Sequence, residues 1–121
     1  MNNPPARDVV TDYHRAWTSG RVEDAMRLVA EDVTCRAPGV DLVGIDAYRA
    51  YISGFAPRLT GLADIAAFAD GERVALFYYP QTAATSTAPA AECLTVREGR
   101  ITDSVLVFDR LSFGPPDGGA R

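Results

Sequence analysis

The apolar residues of this chain change period once, and that change restricts the fold more than any other feature. Up to about residue 60 they recur at helical spacing, and from Gly61 onward they alternate as strand residues do. In ARDVVTDYHRAWTS, residues 6–19, Val10, Tyr13 and Trp17 stand at i, i+3 and i+7 with Val9 and Ala16 beside them. One apolar stripe therefore faces inward, and Gly20 is a suitable stop. A second helix is expected over residues 22–30, where Ala25, Met26, Leu28 and Val29 keep helical spacing and Glu23 and Asp24 suit the N-terminal turn. A third begins at Asp46, with Tyr48, Tyr51, Ile52 and Phe55 on one face and Pro57 limiting its length. Between them VTCRAPGVDLVG reads as two short strands broken at Pro38 and Gly39.

The second half reads as four strands: GLADIAAFAD, ERVALFYYPQ, AECLTVRE and RITDSVLVFDRLSF. Asp70-Gly71 and Glu98-Gly99 mark tight turns, and QTAATSTAPA is a longer loop. Helices first and an antiparallel meander afterwards make an α+β domain, unlike the βαβ alternation of nucleotide-binding sheets, and no glycine-rich phosphate loop is present. At 121 residues the chain has room for one such domain, expected over residues 6–113, with residues 1–5 and the tail 114–121 disordered.

Charge and composition exclude several function classes. A formal charge of -4, with the basic residues spread singly, argues against a nucleic-acid partner. Cys35, Cys93 and His14 are too few and too scattered for a metal cluster, so no metal or other cofactor is expected and two buried free thiols are the simplest reading. No apolar run is long enough to span a bilayer, and the start MNNPPARD lacks the apolar stretch of a signal peptide. A cytoplasmic protein that does not bind membranes is the expectation.

Three local features carry a family resemblance: a helix ending W-T-S-G-R, a following A-M-R-L-V-A-E-D-V-T segment, and a G-I-D-A-Y helix start at Gly44. With the R-I-T-D strand near the end, the chain resembles the SnoaL-like and ketosteroid-isomerase-like group of the nuclear transport factor two superfamily over nearly its whole length. The resemblance implies a cone: three N-terminal helices against a strongly curved mixed or antiparallel sheet, a mainly apolar pocket at one end, and a homodimer formed through the sheet. Members include isomerases, polyketide cyclases, epoxide hydrolases and dehydratases, as well as many without demonstrated catalysis. Their chemistry pairs a pocket carboxylate with a donor such as Tyr.

Within that frame four residues are candidates for chemistry. Tyr13 matches the first-helix tyrosine with which the steroid isomerases hydrogen-bond an enolate oxygen, although a tyrosine on a buried stripe also serves as ordinary core. Glu92 shares a face with Leu94 and Val96 by strand parity, so it is either a buried acid with a raised pKa or a strand-end residue reaching solvent. By the same parity Asp64 sides with Leu62, Ala66 and Phe68, and either looks into the cavity or sits at an exposed strand start. Asp109 looks like the acid that ends the last strand in SnoaL-like sequences. Parity leaves that strand unoriented, because both of its faces carry apolar residues. His14, one residue past the stripe, reads as a boundary residue, and Arg36 as either a pocket-mouth partner or a solvated strand residue. An aromatic lining of Trp17, Tyr48, Tyr51, Phe55, Phe68, Tyr78 and Phe108 is expected around a small apolar ligand.

Two departures weigh against specific activities. Where the steroid isomerases carry a proton-shuttling aspartate before a proline, this chain has Ala37 before Pro38. Where limonene-type epoxide hydrolases place an acid in the last strand, it has Leu106. Two functions follow as expectations: cofactor-independent acid-base chemistry on a polyketide, terpenoid or steroid-like molecule, or a non-catalytic small-molecule-binding or dimeric interaction domain.

Overall fold

A computed structural model describes residues 3–114. The terminal disorder expected for residues 1 and 2 and for 115–121 lies outside the described residues. Helix α1 (Ala6–Thr18) buries Val9, Val10, Tyr13, Ala16 and Trp17, as the stripe requires. Helix α2 (Val22–Met26) is shorter than expected: Leu28 closes a last turn onto Ala25, and Val29 already belongs to strand β1 (Val29–Ala37). Leu28 O accepts from Ile101 N, so sheet pairing takes over where helical spacing alone would continue. Strand β2 (Val40–Val43) folds back on β1 through Pro38-Gly39, and Gly39 takes the positive φ of 80° that this turn demands. Helix α3 (Ile45–Phe55) buries Tyr48 and Ile52, and a 3-10 turn (Ala56–Arg58) absorbs Pro57 at its end.

Strands β3 (Leu59–Asp70), β4 (Arg73–Thr82), β5 (Ala90–Arg97) and β6 (Arg100–Phe108) form the expected meander. The sheet of six runs β2-β1-β6-β5-β4-β3 and does not close. It is mixed rather than wholly antiparallel, because β1 pairs with β6 in parallel. The last strand stops at Phe108, short of the expected Phe113. Asp109 caps a fourth helix, α4 (Arg110–Phe113), accepting from Leu111 N at 3.1 Å and from Ser112 Oγ at 2.7 Å. The fold class is α+β as expected, with this extra short helix.

The core lies between α1, α3 and the inner sheet face, where Val74, Leu76, Tyr78, Leu94, Val96 and Ile101 are buried. Truncating a buried aliphatic residue such as Ile52 to Ala would cost about 2–5 kcal/mol. Cys35 belongs to this core, and burial pushes its thiol up to about 11. Cys93 is exposed, contrary to the expectation of two buried thiols, because it alternates outward from Glu92 and Leu94. No helix among the described residues is long and apolar enough to cross a membrane.

Candidate functional site

Strand β5 places Glu92 on the inner face between cross-strand neighbours Leu76 on β4 and Leu106 on β6. The side chain is 3% exposed, and its Oε1 is enclosed without a hydrogen-bond partner. Removal from water, uncompensated by donors, pushes this carboxyl up to about 7. Glu92 therefore both holds and releases a proton near neutrality, which is what a general acid-base group requires.

Above Glu92 opens a cavity of about 1110 Å³ between α3, α4 and the inner sheet face. Trp17, Tyr51, Phe55, Tyr78 and Phe108 of the expected lining border it, together with Leu106. The structure orients β6, which parity could not: Leu106 and Phe108 face the cavity, whereas Val105 and Val107 are exposed. Among the described residues Glu92 is the one acid that lines this space, while Arg58 and Arg110 stand on its wall.

Tyr13 and Tyr48 lie close to Glu92 but do not border the cavity. Both are buried, and their hydroxyls hydrogen-bond each other at 2.5 Å. Burial, then the neighbouring Tyr48 and Glu92, hold the Tyr13 phenol well above the ordinary tyrosine value, and burial followed by Glu92 does the same for Tyr48. One phenol donates to the other, so the pair keeps a single proton for further donation.

Asp64 and Phe68 are not brought to Glu92. Asp64 keeps the parity of Leu62 and pairs with the inward-facing Tyr78, but on the edge strand it meets His14 instead; the β-bulge between Asp64 and Ala66 breaks the parity for Phe68 alone of the two. Beyond it Ala67 packs on the core, while Phe68 turns outward, 63% exposed, with its ring edge-on to Phe77 at 6.2 Å. The Asp64 side chain is 72% exposed and contacts His14 Nε2 at 3.1 Å. Asp109 also stays out of the cavity, its carboxylate spent on capping α4. Arg36 is exposed on β1, with no carboxylate partner among the described residues.

His14 is not the boundary residue that its place beside the stripe suggests. It is 6% exposed, packs edge-on against Tyr78 at 4.7 Å, and keeps Nδ1 buried without a partner. Burial lowers its pKa, and Asp64 offsets only part of that. The available signal was its spacing: His14 stands at i+4 from Val10, within the arc of the apolar stripe. Among the described residues no group of three or more His, Cys, Asp or Glu is arranged to hold a metal ion.

Residues 10–104 match the SnoaL-like domain family. A solved protein from Kribbella flavida shares 43% identity, with 88% of each chain covered and a TM-score of 0.84. An NTF2-like protein of unknown function from Cytophaga hutchinsonii shares 19% identity over 90% of this chain and 93% of its own, with a TM-score of 0.75. A hypothetical protein with ketosteroid isomerase-like fold from Catenulispora acidiphila, solved with trimethylamine, shares 20% over 96% and 98%, with a TM-score of 0.71. The last two likenesses concern fold alone. None of the proteins with curated descriptions matches the chain.

Proposed function

Since the chain belongs to the SnoaL-like domain family, we propose that it holds a small, largely apolar, oxygenated molecule of polyketide, terpenoid or steroid-like type in the cavity above Glu92. There it acts as a cofactor-independent isomerase, cyclase or hydrolase, with Glu92 transferring the proton. One observation carries this reading: an acid with its pKa near 7 sits unpartnered beneath an aromatic-lined cavity. A buried, unsatisfied carboxyl costs stability, and a ligand oxygen that bonds to it would recover that cost. Leu106 and Ala37 stand where other members carry acids, so the proton transfers fall to Glu92 alone among the cavity residues described.

That solitude also favours a second reading, a non-catalytic binder, because no second carboxylate lines the cavity to divide acid and base roles. Incubating wild type and Glu92→Gln with a panel of ketones, enones and epoxides, with masses and binding followed together, separates the two. Turnover lost in the Gln variant with binding retained supports the enzyme. Binding without turnover in either protein supports the binder, and equal turnover in both removes Glu92 from the chemistry.

The reading includes a homodimer formed through the outer sheet face. Two apolar rows cross β6-β5-β4-β3 there: Val105–Cys93–Ala75–Phe68 and Val107–Ala91–Phe77–Ala66. Val105, Val107, Phe68 and Phe77 are between 41% and 63% exposed, and a contiguous apolar patch of this kind suits a second copy of the same face. Localisation in the cytoplasm completes the proposal.

A further inference from the structure

The cavity wall is electrostatically unlike the rest of the chain. On a protein of formal charge -4, its described lining carries two guanidinium groups and one acid, the buried Glu92. Neither Arg58 nor Arg110 meets a carboxylate among the described residues. Arg58 is held in place: it donates to the Phe113 carbonyl and lies 5.6 Å over the Phe55 ring. Arg110 lies against Gly39, where a Cβ would collide with Nη1, so the absent side chain leaves room for the guanidinium beside the cavity.

From these contacts we infer that the ligand carries an anionic group, a carboxylate, held by Arg58 and Arg110, with its apolar body extending toward Glu92. This rests on the pocket reading above and names the ligand class it takes. Arginine suits the role because its planar fork pairs with carboxylates and is only weakly hydrated beside aromatic rings. The spacing fits a ring system between the two polar ends. Leu106 lies opposite Glu92, Phe108 is two residues or about 7 Å farther along β6, and Arg110 opens the helix beyond.

Calorimetric titration of the full chain with 6-hydroxy-2-naphthoate and with its methyl ester tests this, because the two share a skeleton and differ in the charge at one end. The acid is expected to bind about tenfold or more tightly than the ester, the weight of one charge-assisted contact. Arg110→Gln, which breaks no hydrogen bond among the described residues, is expected to abolish that preference by lowering acid affinity far more than ester affinity. Arg58→Gln should act in the same direction with some loss of stability. Equal affinity for acid and ester in the wild type, or an unchanged preference in Arg110→Gln, overturns the anion assignment and leaves the pocket reading standing. Failure of both compounds to bind overturns the pocket reading and the anion assignment together.

Discussion

Tyr13 on α1 and Tyr48 on α3 are joined through their hydroxyls at 2.5 Å, deep in the core and beneath the acid of β5. The bond ties two helices 35 residues apart, and it explains how two phenols are accommodated in a place where each would otherwise lack a partner. Tyr13→Phe or Tyr48→Phe leaves the other hydroxyl buried and unpaired, so each should cost about 1–3 kcal/mol in urea unfolding. The double variant should cost less than the sum of the two. Strict additivity would show that the two hydroxyls do not depend on each other.

Glu92 should make stability depend on pH. Its folded pKa of about 7 lies above the ordinary value of 4.5, so the folded state holds a proton that the unfolded state has released. The associated stability is complete below pH 4.5, falls as pH rises, and is gone above 7, a span of roughly 3 kcal/mol. Glu92→Gln cannot titrate, so its stability relative to wild type should improve between pH 4.5 and 7 and level off above that. A difference that stays constant across that range would mean that the carboxyl is not raised.

The chain has a single histidine, so one imidazole signal reports His14 by NMR. Burial should hold its midpoint below the ordinary value of 6.5, and stability from this residue should be lost as pH falls below that value. Asp64→Asn removes the group that partly restores the charge, and should lower the midpoint further. An upward move would contradict the contact between them.

Asp109 is assigned to capping, and caps are interchangeable in a way that proton donors are not. Asp109→Asn should leave stability and probe binding nearly unchanged, whereas Asp109→Ala should cost about 1 kcal/mol by freeing the first turn of α4. Loss of turnover in a well-folded Asn variant would give the carboxylate a chemical role.

The outer rows of β3 to β6 should hold two copies together. Phe68→Glu combined with Phe77→Glu places charges in the patch without touching the core, and should convert a dimer to a monomer in sedimentation velocity. A wild type that sediments as a monomer at all concentrations would dismiss the dimer.

Much of the fold is legible in the sequence, because helix and strand periods are local properties of the chain. The stripe of α1, the aromatic face of α3, the turn at Pro38-Gly39 and the inward parity of Glu92 follow from spacing alone. Spacing could not show that α2 yields to β1, since Leu28 is claimed by a hydrogen bond from Ile101 more than seventy residues later. Nor could it show the bulge after Asp64, an extra residue visible only against the partner strand. That bulge turned Phe68 to the outside.

The candidate site divides along the same line. Residue order determined that an acid would share a face with Leu94 and Val96, because alternation is set by the backbone within one strand. Tertiary structure decided what that acid meets: Leu76 and Leu106 on either side, no donor for its enclosed oxygen, and an aromatic cavity above. It also decided that Tyr13 bonds to Tyr48, that Asp64 reaches His14, and that Arg58 and Arg110 share one wall. The physical reason is range: periodicity is carried by neighbours along the chain, whereas desolvation, pairing and charge juxtaposition arise only between residues that folding brings together from distant positions.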